Sequence, residues 1–351
     1  MRLLVLFLIA AQAAATAAEP TAFFELGAQR VEAKLLANAN DRVYVLARDG
    51  KVWDFKPSDA KNVRRVSDQF SPLGANELRS QLQLEFGKRF DVGGAGQYVV
   101  VYPAGQKNLW VSRFEELSRS FQHYFSARGF RPDSPRFPLI AVVLPSQQEF
   151  VRYTIQDGVQ APPGLMGYYS ATTNRVALFD ATAGTNADWT TNAETIIHEA
   201  THQTAFNTGI HTRLANTPRW VTEGLGCLFE AKGVYNSSRY PRQADRFNRE
   251  RLTAFHRSMA RRKEGSLADF VTTDRPFETD ILAAYAEAWA LTFFLSETEP
   301  RKWVEYLRKT AELKPLVAYR SPERLRDFTA VFGSDLRMLE TRFLRFMEEL
   351  R

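Results

Sequence analysis

Three features of the 351-residue chain predict an α+β fold. Strand-type patterns crowd its first half, helical spacing takes over from Thr191 onward, and a His-Glu-x-x-His segment, His198 to His202, lies where the two regimes meet. With 44% hydrophobic and 25% charged residues, the composition is that of a chain able to bury a full core.

The chain opens "MRLLVLFLIAAQAAATAAEP". Arg2 supplies a short positive segment, Leu3 to Ala11 an apolar one, and Ala15-Thr16-Ala17 a small-residue cleavage site, with Ala18 an equivalent last residue. Residues 1–18 therefore read as a secretory signal peptide, and the mature protein is expected to be exported to the periplasm or beyond, without a membrane span. Residues 19–67 read as a small β-rich extension, in which "DRVYVLARDGKVWDF" is a hairpin turning at Asp49-Gly50. Ser71 to Ala75 reads as a linker. Asn76 is the expected cap of a helix that stops at Gly87.

Residues 68–209 read as an α/β unit. "KRFDVGGAGQYVVVYP" is a second hairpin, and residues 112–127 carry apolar groups at helical spacing before the stop at Gly129. "FPLIAVVLP" has the length and continuity of a buried strand. Ser146 and Glu149 have capping-box spacing, and "GLMGYYSATTNRVALFD" is two strands with a turn at Ala171 to Asn174. Residues 210–351 are expected to form a helical lower unit.

Charge and cysteine content narrow the classes. The formal net charge is +6, with basic clusters such as "RRKEG" in the C-terminal third. Solvated helix faces account for these, and attraction to anionic envelope polymers is the sharper alternative. No helix-turn-helix, zinc-finger or aromatic-basic RNA motif is present, so nucleic acid is not an expected partner. Cys227 is the only cysteine, which excludes an intramolecular disulfide; one turn after Glu223, it reads as a small buried thiol, with a thiolate facing a metal as the alternative.

Thr191 and Glu194 have capping-box spacing at the start of "TIIHEATHQTAF". On that helix His198 and His202, four residues apart, project from one face, as two imidazoles must to share one metal ion. Glu199 beside them is placed to serve as general base. A third protein ligand is normally required. His211 is one candidate, although an extended HExxHxxGxxH motif would need a histidine at 208, where Thr208 stands. Glu223, in "NTPRWVTEGLGCLFEAKG", is the better one. Thr217 reads as N-cap, Pro218 as the first helical residue and Gly233 as the end of this second helix. Gly224 and Gly226 would let it pack closely on its neighbours. Asn207 and His211 are placed to hold the ligand rings in one tautomer. His123 and His256 have no partner pattern and read as structural or surface residues.

At "HEATH" followed by "WVTEGL" the chain resembles the gluzincins, the HExxH-plus-Glu metallopeptidases, in their MA-like bacterial branch. More closely it resembles an exported bacterial family of that branch without settled activity, through "RSFQHYFSARGF", "FPLIAVVL", "GYYSATTNRVALFD", "HEATHQTAFNTGIH", "WVTEGLGCLFE" and "YAEAWALTFFL". The resemblance covers roughly residues 68 to 300. It implies a zincin-like arrangement with a mixed sheet whose edge strand lies above the motif helix. It also implies one Zn²⁺ held by His198, His202 and Glu223, Glu199 as general base, and an edge strand around Tyr168 and Tyr169 that pairs with extended substrate. Tyr285 matches a tyrosine that in some gluzincins donates to the tetrahedral oxyanion, a role for which Tyr168 and Tyr169 are rivals. The implied activity is hydrolysis of peptide or other amide bonds in a peptide or protein substrate. A catalytically silent scaffold of the cell envelope and an amidase acting on cell-wall peptides are the alternatives.

Overall fold

The computed structural model describes residues 19–106, 109–160, 162, 164–181 and 190–350, so the expected signal peptide lies outside the described residues. Strands β1 (Thr21–Leu26), β2 (Gln29–Ala39), β3 (Arg42–Ala47), β4 (Val52–Phe55) and β5 (Ala60–Ser67) form an antiparallel sheet in the order β4-β3-β2-β1-β5. Its core is Phe24, Val31, Ala33, Val43, Val45, Ala47 and Phe55. The β3–β4 hairpin turns where expected, with Gly50 at φ +89°, a conformation few residues other than glycine adopt.

A second sheet is built from β6 (Phe90–Ala95), β7 (Tyr98–Pro103), β8 (Leu139–Leu144), β9 (Gly167–Ser170) and β10 (Arg175–Phe179) in the order β6-β7-β8-β10-β9. β8 is parallel to both β7 and β10, whereas β6 and β9 close the two edges antiparallel. The parallel crossovers require helices. α1 (Ala75–Phe86), α2 (Leu109–Ala127) and α3 (Gln147–Gln156) accompany this sheet. Side chains alternate between two covered faces. Val99, Val101, Ile140, Val142 and Ala177 meet α1 and α3, while Tyr98, Val100, Ala141, Val143 and Val176 meet α2 and the motif helix. Every residue of β8 is buried, because the strand is central and covered on both sides.

The remainder is helical. α4 (Thr190–Asn207) carries the motif, followed by α5 (Arg219–Phe229), α6 (Lys232–Tyr235), α7 (Arg249–Met259), α8 (Ser266–Thr272) and α9 (Pro276–Thr279). Then come α10 (Ile281–Thr298), α11 (Pro300–Ala311), α12 (Ser321–Phe332) and α13 (Leu336–Glu349). α10 is apolar on nearly every side because it runs through the middle of this half, with Trp289, Leu291 and Phe293 fully buried. One hydrophobic cluster joins these helices, Ile197 of α4 included, to Phe121 and Phe125 of α2. Among the described residues no helix is long and apolar enough to cross a membrane.

Several boundary expectations are corrected. Gly74, not Asn76, precedes α1, and Asn76 lies within the helix. Thr191 lies inside α4 rather than before it, and its side chain is outside the described residues. α5 begins after Pro218, and Thr217 Oγ1 makes no hydrogen bond. The Arg219 N–H that Thr217 would have capped instead donates to Asp274 (2.9 Å). α5 ends at Phe229, and Gly233 falls within the separate turn α6. Ser146 does accept the Glu149 N–H at the start of α3 (3.3 Å).

Candidate metal centre

α4 is held against the second sheet by one face and presents the other to α5. Ile196 and Ala200 bury on the sheet, and each fully buried isoleucine contributes about 1.5–3 kcal/mol. One turn further on, the Gln203 amide donates to the carbonyls of Ile140 (2.9 Å) and Asn174 (2.8 Å). Gly167 lets the helix approach β9, since a Cβ there would lie 2.7 Å from Thr195 Cγ2. With positions 196, 200 and 203 turned to the sheet, 198 and 202 face α5.

From α5 the facing side chain is Glu223. His198 Nε2 lies 3.0 Å from His202 Nε2 and 3.3 Å from Glu223 Oε2, and His202 Nε2 lies 3.4 Å from the same oxygen. A tetrahedral ion with donors at about 2.0–2.1 Å separates them by about 3.3–3.4 Å. His198 Nδ1 lies 2.7 Å from Glu230 Oε1, and a carboxylate only accepts, so this nitrogen carries a proton, and in the neutral ring, the form that binds a metal, Nε2 keeps a lone pair. Lone pairs therefore converge on one point, and a single bridging proton does not satisfy all three edges. A divalent cation does. These residues are a group that could hold a metal ion.

Two glycines make the triangle possible. A Cβ at Gly226 would lie 2.7 Å from His198 Cε1. At Gly224, which faces the other way, it would lie 2.2 Å from Thr292 Oγ1 and 2.5 Å from the Ala288 carbonyl of α10. α5 is thus packed against the α10 backbone on one side and directly against the His198 ring on the other.

Charge is distributed accordingly. Burial resists ionisation of Glu223, but the adjoining imidazoles prevail and hold its carboxyl well below the usual range. Burial pushes Glu199 the other way, and the charge of the adjoining imidazoles only partly offsets it. Tyr285 comes to the site as expected. Its ring lies 6.3 Å from that of His198, and burial, with the Glu223 charge, raises its pKa.

Other expectations are corrected. Adjacent strand residues face opposite ways, so Tyr168 and Tyr169 cannot both face the site. Tyr168 packs on Phe150, away from the motif helix, and donates to Asp157 (2.9 Å). Tyr169 is on the motif side, but its ring stacks on Phe206 and its hydroxyl donates to Asn174 (2.8 Å); burial pushes that hydroxyl up to about 12. Asn207 touches neither ligand ring; it exchanges hydrogen bonds with Asn174 (3.0 and 2.8 Å) and ties α4 to the β9–β10 turn. His211 is buried beside Phe206 with neither ring nitrogen hydrogen-bonded, and burial depresses its pKa to about 3. Cys227 is a buried thiol against the Nδ1 side of His198, outside the donor triangle, and burial raises it to about 11. His123 and His256 are exposed, and His256 bonds the Met347 carbonyl (2.9 Å).

Sequence reasoning missed Glu230. Besides receiving His198 Nδ1–H, it accepts from Asn248 (2.5 Å) and lies 3.9 Å from Arg251 Nε. Its carboxyl is held below the usual range: burial opposes, and the His198 hydrogen bond and charge prevail. The available signal was its position seven residues after Glu223, two helical turns along the same face.

Against known sequences, the profile of a family described as proteins of unknown function, DUF1570, matches residues 192–317. That span contains the motif helix from its third residue, Glu223, Glu230 and Tyr285. No curated protein matches the chain.

Proposed function

We propose that the protein is an exported zinc-dependent metallopeptidase that hydrolyses peptide bonds. The observation that carries this reading is the triangle of three lone-pair donors, with Glu199, whose proton affinity burial raises, beside it. His198, His202 and Glu223 would hold the ion. When bound, zinc would supply Lewis acidity, polarising the scissile carbonyl and lowering the pKa of water from 15.7 to about 7.

The protein's own groups do the rest. Glu199, with its basicity raised by burial, takes a proton from the attacking water and delivers it to the leaving nitrogen. Tyr285 keeps its proton across the neutral range, so its hydroxyl is available to donate to the developing oxyanion. Glu230 fixes the tautomer of His198. β9, at the edge of its sheet, offers its outer backbone to an extended chain.

The test is Glu199→Gln in the full mature chain, with metal content and casein and peptide-library cleavage measured together. Zinc should stay near one per chain while turnover falls by about two to four orders of magnitude. Full turnover in the variant, or a wild type that takes up no zinc, would refute the reading.

A further inference from the structure

Arg213 lies in the connection between α4 and α5, half-buried, with no carboxylate within ion-pair distance among the described residues. Its guanidinium is surrounded by carbonyls. Nε donates to Ala171 O (2.9 Å), one terminal nitrogen to Gly50 O (2.8 Å), and the other to Ala171 O and Thr172 O (2.5 and 3.2 Å). Gly50 belongs to the β3–β4 turn of the N-terminal sheet, and Ala171 and Thr172 to the β9–β10 turn. Three carbonyls aimed at one point repel one another, and the multi-donor cation between them offsets that repulsion and ties the two turns together.

The junction has further members. Val52 N–H donates to Thr172 O (2.7 Å), and a Cβ on Gly50 would come within 3.1 Å of Asn174 Nδ2. Asn174 is itself bonded to Tyr169, Gln203 and Asn207. A continuous chain of contacts therefore runs from the N-terminal sheet through Arg213 and the turn to β9, the edge strand that lies against the motif helix at Gly167 and Thr195.

We infer that Arg213 is a positioning residue for the substrate-facing edge. By docking the N-terminal sheet onto the β9–β10 turn, it sets where β9 lies over the metal ligands, which makes that sheet part of the site's frame. Its kinetic consequence rests on the peptidase reading; its structural consequence does not.

The test compares wild type with Arg213→Gln and Arg213→Lys in the full mature chain. Lysine keeps the charge but lacks the planar fork, so it should not rescue. Amide hydrogen exchange over residues 167–179 should quicken about tenfold or more, while that of residues 196–206 stays unchanged. Zinc content should not move. KM for an eight-residue peptide should rise about tenfold with kcat nearly constant, and cleavage of a single-residue anilide should be unaffected. Exchange that rises equally throughout, or nowhere, would overturn the inference, as would equal losses on both substrates. Should the Arg213 variants not fold, Gly50→Ala strains the same junction from its other side and must give the same selective exchange. A wild type without turnover would sink the peptidase reading alone, and exchange would then decide the role of Arg213.

Discussion

The floor and the roof of the centre are built on different principles. The floor is α5 wedged between α4 and α10, positioned by steric closeness at Gly224 and Gly226. The roof is β9 and its turn, positioned by directed hydrogen bonds from Gln203, Asn207 and Arg213. Close packing changes abruptly when an atom is added, whereas a hydrogen-bonded network loosens one bond at a time. Floor substitutions should therefore strike metal binding, and roof substitutions should act on the edge strand.

The largest effect is expected at Gly226. Gly226→Ala places a methyl against the His198 ring, which Glu230 and Glu223 prevent from swinging freely. Zinc per chain should drop far below one, measured by mass spectrometry at equal folded content. Gly224→Ala sharpens the contrast, because its methyl meets the α10 backbone instead. It should lower stability by about 1–3 kcal/mol in denaturant titration while folded molecules still bind zinc. A reversed outcome would mean the two faces of α5 are misassigned.

Next comes Glu230→Gln. It removes the charge behind His198 while preserving shape, and zinc affinity in a competitive chelator titration should fall about 10- to 100-fold. No change would relegate Glu230 to packing.

His211 gives a subtler effect below the roof. Its pKa is ordinarily near 6.5 and is depressed to about 3 in the folded chain. Above pH 6.5 neither state binds this proton, and the folded state is at no disadvantage. As pH falls, the unfolded chain binds it first, so stability declines from pH 6.5 downward, by about 3 kcal/mol at pH 4. His211→Phe should flatten that slope in Tm-against-pH curves; an unchanged slope would place its origin elsewhere.

The floor was also the more legible half. His198, His202 and Glu223 are separated by helical intervals, and the small residues at 224 and 226 advertised a close contact. Tyr285 reached the site from a distant helix, but its role came from resemblance rather than spacing. Roof assignments fared worse. Tyr168 and Tyr169 were taken together although strand alternation sends them to opposite faces. Asn207 and His211 were placed near the ligands by proximity in sequence, yet the end of α4 turns them toward the β9–β10 turn and the buried Phe206.

Local physics explains what was readable. Helical period, the continuous apolar run of β8, turn chemistry at Gly50 and the His-Glu-x-x-His interval depend on residues a few positions apart, and they give the α+β content and put His198 and His202 on one helix face. Glu230 behind His198, Asn248 behind Glu230, and the guanidinium of Arg213 between two turns depend on groups separated by up to 163 positions. No period links such residues. They meet because α5 folds back along α4 and because the N-terminal sheet docks on the edge hairpin, and those meetings exist only once the chain is packed.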